Sequence, residues 1–289
     1  MYSASFEYHR AGSVKEALDL LTQFGEDARL LSGGHSLLPM MKLRLAQPGH
    51  LIDIAEIKDL SKIREEGGKI IIGGAATHHK VETSDLIKDK LGLLWMAARL
   101  IGDVQVRNRG TIGGALAHAD PAADYPAAVL ALEGELKLQG PSGARTVKAE
   151  DFFIDLMTTA AQHGEILTEV AFAPIPAGAG FVYLKHPQPA SGFAVVGVAA
   201  LAQLDKKGNF AKLRVGVTGL GPKAFRALTV ESALAGKAPQ PDAIKAAAAK
   251  VADGIDALSD IHASTEFRTQ LAQVYTRRAI EEAAAAAKV

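Results

Sequence analysis

A short segment rich in glycine and serine is the first place in the chain where residue types and spacing indicate chemistry. Residues 32–37 read Ser-Gly-Gly-His-Ser-Leu and stand between a strand-like stretch and a helix-like one. Paired glycines let the backbone turn sharply and approach a ligand, and successive backbone N–H groups form an anion site. The segment therefore predicts a phosphate cradle. The alternative is a simple Gly-Gly turn with Ser36 as the N-cap of the following helix.

A second Gly-Gly segment lies near the middle of the chain. Residues 111–115 read Thr-Ile-Gly-Gly-Ala, and Asp-Pro-Ala-Ala-Asp-Tyr-Pro follows at 120–126. Pro121 after Asp120 fits an N-cap followed by the first helical position. Asp124 lies beyond that cap, so its carboxylate could meet a ligand hydroxyl; a solvated surface turn is the alternative. Two Gly-Gly cradles that each open a helix suit one diphosphate held from two sides, which favours a dinucleotide ligand.

Several other ligand-binding and catalytic patterns are missing. The sequence has no G-x-G-x-x-G after a strand and no G-x-x-x-x-G-K-[ST], which argues against a Rossmann domain and a P-loop ATPase. His78, His79 and Glu82 could share one helical turn, but adjacent histidines usually point apart and no H-E-x-x-H exists, so we expect no metal site. No nucleophile elbow is present, and we expect no catalytic residue in this chain.

The composition excludes further classes of function. Lysine plus arginine and aspartate plus glutamate both number 32, and this zero net charge argues against a nucleic-acid binder. The chain has no cysteine, so it forms no disulfide and binds no iron–sulfur cluster through thiolates. The longest apolar stretch, residues 192–202, is about half of a membrane span. Residues 1–10 show no secretory signal, so we expect a cytoplasmic protein without a membrane span.

The elements that must position the two glycine segments alternate between helix and strand. Ser13 followed by Glu16 has the capping-box spacing and predicts a helix N-terminus. A single helix is predicted over residues 86–100. Strands are predicted at residues 28–31, 51–54, 69–72, 136–138 and 146–148, the last two forming a hairpin around a Gly-Pro-Ser-Gly turn.

The composition changes near residue 174, where prolines and glycines cluster. Three strands are predicted beyond that point, at residues 180–185, 194–204 and 212–217, and a long amphipathic helix covers residues 265–287. We therefore expect an α+β protein of two parts, residues 1–173 and residues 174–289.

With both glycine segments placed, the sequence resembles the medium, FAD-binding subunit of the molybdenum hydroxylases, the family of the carbon monoxide and xanthine dehydrogenases. The flavin domain of that family is of the PCMH type, which is similar to vanillyl-alcohol oxidase. The resemblance covers essentially the whole chain. It rests on motifs in the expected order, at residues 32–37, 111–115, 120–126, 164–170, 183–185 with 193–199, 264–268 and 277–279.

The resemblance implies a fold and a set of site residues. The fold would be a two-subdomain FAD-binding domain followed by a smaller domain with a three-stranded antiparallel sheet and helices. The two glycine segments would hold the FAD pyrophosphate, Asp124 a ribityl or ribose hydroxyl, and Lys185 would lie near the polar edge of the flavin. Leu167 and Ile101 would lie at the adenine, and Phe193 would pack on the isoalloxazine. The expected cofactor-binding residues are Ser32, Gly33, Gly34, His35, Ser36, Leu37, Ile101, Thr111, Ile112, Gly113, Gly114, Ala115, Asp124, Leu167, Lys185 and Phe193.

The sequence departs from the family pattern at two positions. Ala115 replaces the usual asparagine, and Gly192 stands where many relatives have aspartate. His35 resembles the position of covalent flavin attachment in some oxidases of this fold, but the subunit family implies non-covalent FAD.

The resemblance also implies partners. A large subunit would carry molybdopterin, and a small subunit would carry two [2Fe–2S] clusters that reduce the FAD, in a dimer of heterotrimers. NAD, a quinone or another acceptor would take the electrons. The substrate, which could be carbon monoxide, an aldehyde, a purine or an N-heterocycle, would be set by the large subunit. The complex could associate with the inner face of the membrane. A stand-alone FAD-dependent oxidase or reductase of the same fold is the alternative.

Overall fold

A computed structural model describes residues 2–288 and shows three sheets that carry the fold, with a separate two-stranded hairpin. The first sheet is parallel, in the order β1-β3-β2, with a helix between β1 and β2 and a short helix between β2 and β3. Its elements are β1 (Glu7–Arg10), α1 (Val14–Phe24), β2 (Ala28–Leu31), α2 (Leu37–Lys42) and β3 (His50–Asp53).

The predicted start of α1 is confirmed. The Ser13 hydroxyl accepts from the Glu16 N–H at 3.1 Å, and the Glu16 carboxylate accepts from the Gly12 N–H at 2.8 Å. Ala17, Leu18 and Leu21 share the buried face of α1 and pack into the first of three hydrophobic clusters.

The second sheet is antiparallel, in the order β4-β5-β10-β6-β7. Helices between β5 and β6 cover it and form the largest hydrophobic cluster with it. Its strands are β4 (Ile63–Glu66), β5 (Lys69–Gly73), β6 (Glu135–Gly140), β7 (Gly143–Lys148) and β10 (Ile166–Phe172). These helices are α3 (His78–Glu82), α4 (Asp85–Lys90), α5 (Gly92–Arg99), α6 (Val104–Arg109), α7 (Ile112–His118) and α8 (Asp124–Ala131). A further helix, α9 (Ala149–Phe152), follows β7, and the hairpin is β8 (Phe153–Asp155) with β9 (Thr158–Thr159).

The prediction of one helix over residues 86–100 is wrong. The chain forms α4 and α5 instead, and Leu91 between them has φ −134° and ψ 45°, outside the helical region. Gly92 opens α5 in contact with the ring of Phe181, where an added Cβ would collide with that ring. Glycine is a poor helix former, and here it allows a close approach that a continuous helix of larger residues would block.

The third sheet is antiparallel and follows residue 180, in the order β11-β12-β13-β14. The sequence predicts three of its strands and misses the two-residue β14, which is too short to show an alternating pattern. Its elements are β11 (Gly180–Pro187), β12 (Ala194–Leu204), β13 (Phe210–Thr218), β14 (Phe225–Arg226), α10 (Leu228–Leu234), α11 (Pro241–Ala248) and α12 (Thr265–Ala286).

The long helix α12 packs on β11 and β12, as its predicted length allows. Its buried positions recur every three to four residues and join the third hydrophobic cluster. Arg268 on this helix is buried, and its guanidinium donates to the carbonyls of Val195 and Gly219 at 2.7 and 2.8 Å and to Asp260 at 2.6 Å. Within residues 2–288, no helix combines the length and the apolar character that crossing a bilayer requires.

Candidate functional site

The first glycine segment forms a loop with unused backbone donors. The N–H groups of Gly33, Gly34, His35 and Ser36 donate to no acceptor among residues 2–288. Gly34 has φ +74°, in the left-handed region that favours glycine. Gly33 lies against the Arg109 carbonyl, and an added Cβ would collide with that backbone. The loop is therefore a concave group of free donors, which is the arrangement that binds an anion.

The second glycine segment contacts the same loop but presents different groups. The hydroxyls of Ser32 and Thr111 lie 3.1 Å apart, and Thr111 caps α7 by accepting from the Gly114 N–H at 3.2 Å. The Ile112 and Gly113 N–H groups donate to the carbonyls of Ala76 and Gly74, at 3.0 and 2.9 Å. The second segment thus differs from the first: its Ile112 and Gly113 N–H groups are already used, and Gly113 packs so closely on Gly74 that an added Cβ would collide with it.

Both segments line one open cleft of about 630 Å³. Fourteen of the sixteen residues expected from the sequence lie in its wall; Ile112 and Lys185 are the exceptions. Ile112 is fully buried in the largest hydrophobic cluster. The cleft runs from the first sheet, past the helices over the second sheet, to the segment 191–193, which joins β11 to β12 in the third sheet.

Asp124 is a buried carboxylate in the cleft wall, and its neighbours come from the third sheet. The Tyr183 hydroxyl donates to Asp124 Oδ1 at 2.6 Å, and Lys185 Nζ lies 3.0 and 3.1 Å from the two carboxylate oxygens. Burial raises the pKa of Asp124 to about 6, although the Lys185 charge and both hydrogen bonds lower it. Burial likewise raises the pKa of Tyr183 well above 10, so Tyr183 stays a donor at neutral pH.

The segment before α8 is fixed by the third sheet, which explains the position of Asp124. Thr218 Oγ1 lies 2.7 and 2.9 Å from the carbonyls of Pro121 and Ala123, and the Gly219 N–H donates to Pro121 at 2.7 Å. The predicted N-cap at Asp120 is wrong. Its carboxylate accepts from the Ala122 N–H in a local turn, and α8 begins at Asp124.

Lys185 is buried, with its side chain 4% exposed. Besides Asp124, its ammonium group donates to the carbonyls of Leu100 and Gly192, at 2.6 and 2.7 Å. All three protons are therefore used within the protein. Lys185 joins α8, the end of α5 and the segment 188–193 beneath the cleft wall rather than projecting into the cleft.

Phe193 lies at the rim of the cleft. Its carbonyl accepts from the Gln188 N–H at 2.7 Å, and the Gly192 N–H donates to the Gln188 carbonyl at 2.8 Å, which closes a tight loop. Gly192 has φ +74°, in the left-handed region that favours glycine. The Phe193 side chain is 46% exposed, a large apolar surface available to a flat ligand.

His78 is a further residue of the cleft wall. It is 4% exposed, and its Nδ1 has no hydrogen-bond partner among residues 2–288. Burial, together with the charges of His35 and Arg107, lowers the pKa of His78 to about 3, so the ring is neutral at pH 7. Tyr125, Glu165 and Ile166 also line the cleft; they lie within the motifs at residues 120–126 and 164–170 but were not among the expected site residues.

The residues present fit a dinucleotide such as FAD. The first loop offers free N–H donors to a diphosphate, and the cleft is of ligand-binding size. Leu167, Ile101 and Phe193 add apolar side chains to the lining of the same cleft, which suits planar ring systems.

Comparisons with known proteins agree with this site. Residues 4–175 match the FAD binding domain in molybdopterin dehydrogenase, and residues 181–283 match the CO dehydrogenase flavoprotein C-terminal domain. The chain is 41% identical to the carbon monoxide dehydrogenase medium chain of Hydrogenophaga pseudoflava, with 98% of each chain covered. It is 38% identical to the glyceraldehyde dehydrogenase medium chain of Sulfolobus acidocaldarius, covering 98% of this chain and 100% of the relative.

A solved structure gives the same result for the fold. The Hydrogenophaga pseudoflava carbon monoxide dehydrogenase that lacks the Mo-pyranopterin moiety of its molybdenum cofactor contains a chain that superposes with a TM-score of 0.97, at 41% identity and full coverage of both chains. The α+β fold and the resemblance drawn from the sequence are confirmed. The chain belongs to the FAD-binding medium subunits of the molybdenum hydroxylase family and is the flavoprotein component of an oxidoreductase.

Proposed function

We propose that this chain holds one FAD non-covalently in the cleft, with the diphosphate on the backbone of residues 33–36. The observation that carries this proposal is the set of four N–H groups without a protein acceptor, in a loop that Gly33 and Gly34 shape. A charged ligand oxygen placed there would gain several charge-assisted hydrogen bonds at once.

The remaining site residues are proposed in supporting roles. Asp124 accepts from a ribityl or ribose hydroxyl, since its carboxylate lies in the cleft wall. Leu167 and Ile101 pack at the adenine, and Phe193 packs at the isoalloxazine. Lys185 acts from beneath the wall, where it holds Asp124 and the Gly192 carbonyl in place.

The bound flavin supplies redox chemistry that no side chain here could provide; the protein binds it, orients it and sets its electrostatics. We propose that electrons enter from [2Fe–2S] clusters on a small partner subunit and leave to NAD, a quinone or another acceptor. This chain has no cysteine, which is consistent with clusters carried elsewhere.

We further propose that a large partner subunit with molybdopterin oxidises the substrate, in a dimer of heterotrimers located in the cytoplasm or at the inner face of the membrane. Residues 1–173 would form the FAD-binding domain and residues 174–289 the smaller domain. The two relatives named above act on different substrates by their names, carbon monoxide and glyceraldehyde, although both align over nearly all of this chain. This supports a substrate choice made outside the medium subunit.

Co-expression with a molybdopterin-type large chain and an iron–sulfur small chain from the same source tests this function. We expect the three chains to copurify and the flavin to be reduced by the reduced small subunit. A Gly33→Ala variant should assemble without flavin and block electron transfer to the acceptor. Turnover of a substrate by this chain alone would instead support a stand-alone oxidase or reductase.

A further inference from the structure

Three potential metal ligands meet on one face of the first sheet, at the end of its strands away from the first glycine segment. Glu7 and His9 are two residues apart on β1, so both side chains leave the same face. In the parallel pairing of β1 with β3, Glu7 is the register partner of His50. The backbone register therefore brings Glu7, His9 and His50 together.

The distances between the ligand atoms suit a small metal ion. His9 Nε2 lies 3.0 Å from His50 Nδ1, and Glu7 Oε2 lies 3.6 Å from His50 Nδ1 and 3.9 Å from His9 Nε2. For bonds of about 2.0 Å to a tetrahedral ion, neighbouring ligand atoms are separated by about 3.3 Å. The three measured distances bracket that value, so an ion could be bound after small side-chain rotations.

The two histidine rings are held in place by an aromatic neighbour. The Phe24 ring stacks on His50 with 3.8 Å between centroids and 9° between planes, and on His9 with 4.7 Å and 28°. The side chains of His9 and His50 are 23% and 19% exposed, whereas that of Glu7 is 73% exposed. The imidazoles are thus pre-positioned, and the solvent side leaves room for Glu7 to adjust and for a water ligand.

We propose that Glu7, His9 and His50 form a binding site for a divalent transition-metal ion of the zinc type. Two imidazoles with one carboxylate are typical ligands for zinc, copper or nickel and unlike the all-oxygen sets of calcium and magnesium. The competing interpretation is a direct hydrogen bond between His9 and His50 with no ion between them.

The position of this site assigns it a structural role. His50 begins β3, whereas the FAD loop follows Leu31, whose register partner is Asp53 at the other end of β3. Three residues of strand separate the two ends by roughly 10 Å. β1 is an edge strand of four residues that pairs only with β3 in its sheet, within the described residues 2–288. An ion bound by residues of both β1 and β3 would stabilise the pairing of this edge strand with the sheet.

Calorimetric titration of the untagged, FAD-loaded chain with Zn²⁺ after chelator treatment tests the proposal. We expect one ion per chain, and an affinity at least about tenfold weaker in His9→Gln and His50→Gln, a loss of 1.4 kcal/mol or more. The exposed Glu7→Gln should also weaken binding without threatening the fold. His262→Gln, at an exposed histidine in a loop, is the matched control and should bind like wild type.

Thermal unfolding supplies a second readout. Zn²⁺ at a hundredfold excess over its Kd should raise the Tm of wild type by roughly 4 °C, and should raise that of the two histidine variants by less. Flavin content should stay the same in all variants, because the FAD loop lies at the other end of the strands. Absence of stoichiometric binding, or equal affinity in wild type and both histidine variants, would overturn the metal site and leave the histidine–histidine hydrogen bond.

Discussion

Replacing Lys185 with methionine should make the stability of the protein depend on pH in a way that reports the state of Asp124. The substitution keeps the length of the side chain and removes a buried charge 3.0 Å from the carboxylate. It also leaves the Leu100 and Gly192 carbonyls without their donor. Breaking a buried pair by removing one partner costs about 3–5 kcal/mol, and part of this loss is independent of pH.

The pH-dependent part follows from the pKa of Asp124. In wild type that pKa is about 6, above the ordinary value of 3.8, because burial raises it by more than the Lys185 charge lowers it. A carboxyl whose folded pKa is raised binds more protons in the folded state, so its contribution to stability falls as pH rises from about 4 to 6. Without Lys185 the pKa of Asp124 rises further, because the carboxyl stays buried but loses the lysine charge. The contribution of Asp124 to stability then continues to fall above pH 6.

The expected magnitude can be stated for two pH values. At pH 5 the carboxyl is mostly protonated in both proteins, so Asp124 adds almost nothing to the difference in unfolding free energy between wild type and Lys185→Met. At pH 7, which lies one pH unit above the wild-type pKa, a carboxyl that stays protonated in the variant adds up to about 1.4 kcal/mol to the destabilisation. The difference in unfolding free energy should thus be larger at pH 7 than at pH 5.

Urea unfolding at both pH values, at a fixed FAD concentration, measures this difference. Lys245→Met, at an exposed lysine on α11, is the matched control and should show no change with pH. The double variant Lys185→Met/Asp124→Asn should lose the additional pH dependence because it has no carboxyl to titrate. A destabilisation by Lys185→Met that is the same at pH 5 and pH 7 would refute the coupling.

Three further predictions concern the flavin. Gly33→Ala should lose most of its FAD on gel filtration, because the added Cβ collides with the Arg109 backbone. The control Gly12→Ala should keep its FAD, because that Cβ meets only the Glu16 carboxylate at 3.4 Å. Equal flavin content in both variants would place the diphosphate elsewhere. Phe193→Ala should weaken FAD binding by about 1 kcal/mol, as stacking contacts do, and change the Tm little because the side chain is 46% exposed; fluorescence titration measures the affinity, and unchanged binding would remove Phe193 from the site. Acid precipitation should release all flavin into the supernatant, and yellow colour in the pellet would show that His35 or another residue is covalently attached.

Much of the fold could be predicted from local patterns. The Ser13–Glu16 capping box, the β6–β7 hairpin and the long strands after residue 180 are visible because their signals lie in short windows of sequence. The break at Leu91 was not predicted, and the contact of the following Gly92 with the Phe181 ring of a distant strand is not visible in a short window of sequence. The start of α8 was misplaced for a similar reason, since Thr218 and Gly219 fix the preceding residues.

The candidate site likewise has features that local sequence predicts and features that depend on distant contacts. The two glycine segments and the family motifs identified the residues of the cleft wall. The sequence could not show which segment keeps its N–H groups free, because the partners of the second segment, Ala76 and Gly74, belong to another loop. Nor could it show that Lys185 is buried under the wall, or that β1 and β3 bring Glu7, His9 and His50 together.

Hydrogen–deuterium exchange of the backbone amides, with and without FAD, tests the central claim most directly. If the diphosphate binds to the first loop, the amides of residues 33–36 should exchange fast in the flavin-free chain and become strongly protected when FAD binds. The amides of residues 112–115, which already donate within the protein, should change much less. Protection that develops at residues 112–115 while residues 33–36 stay exposed would contradict the account.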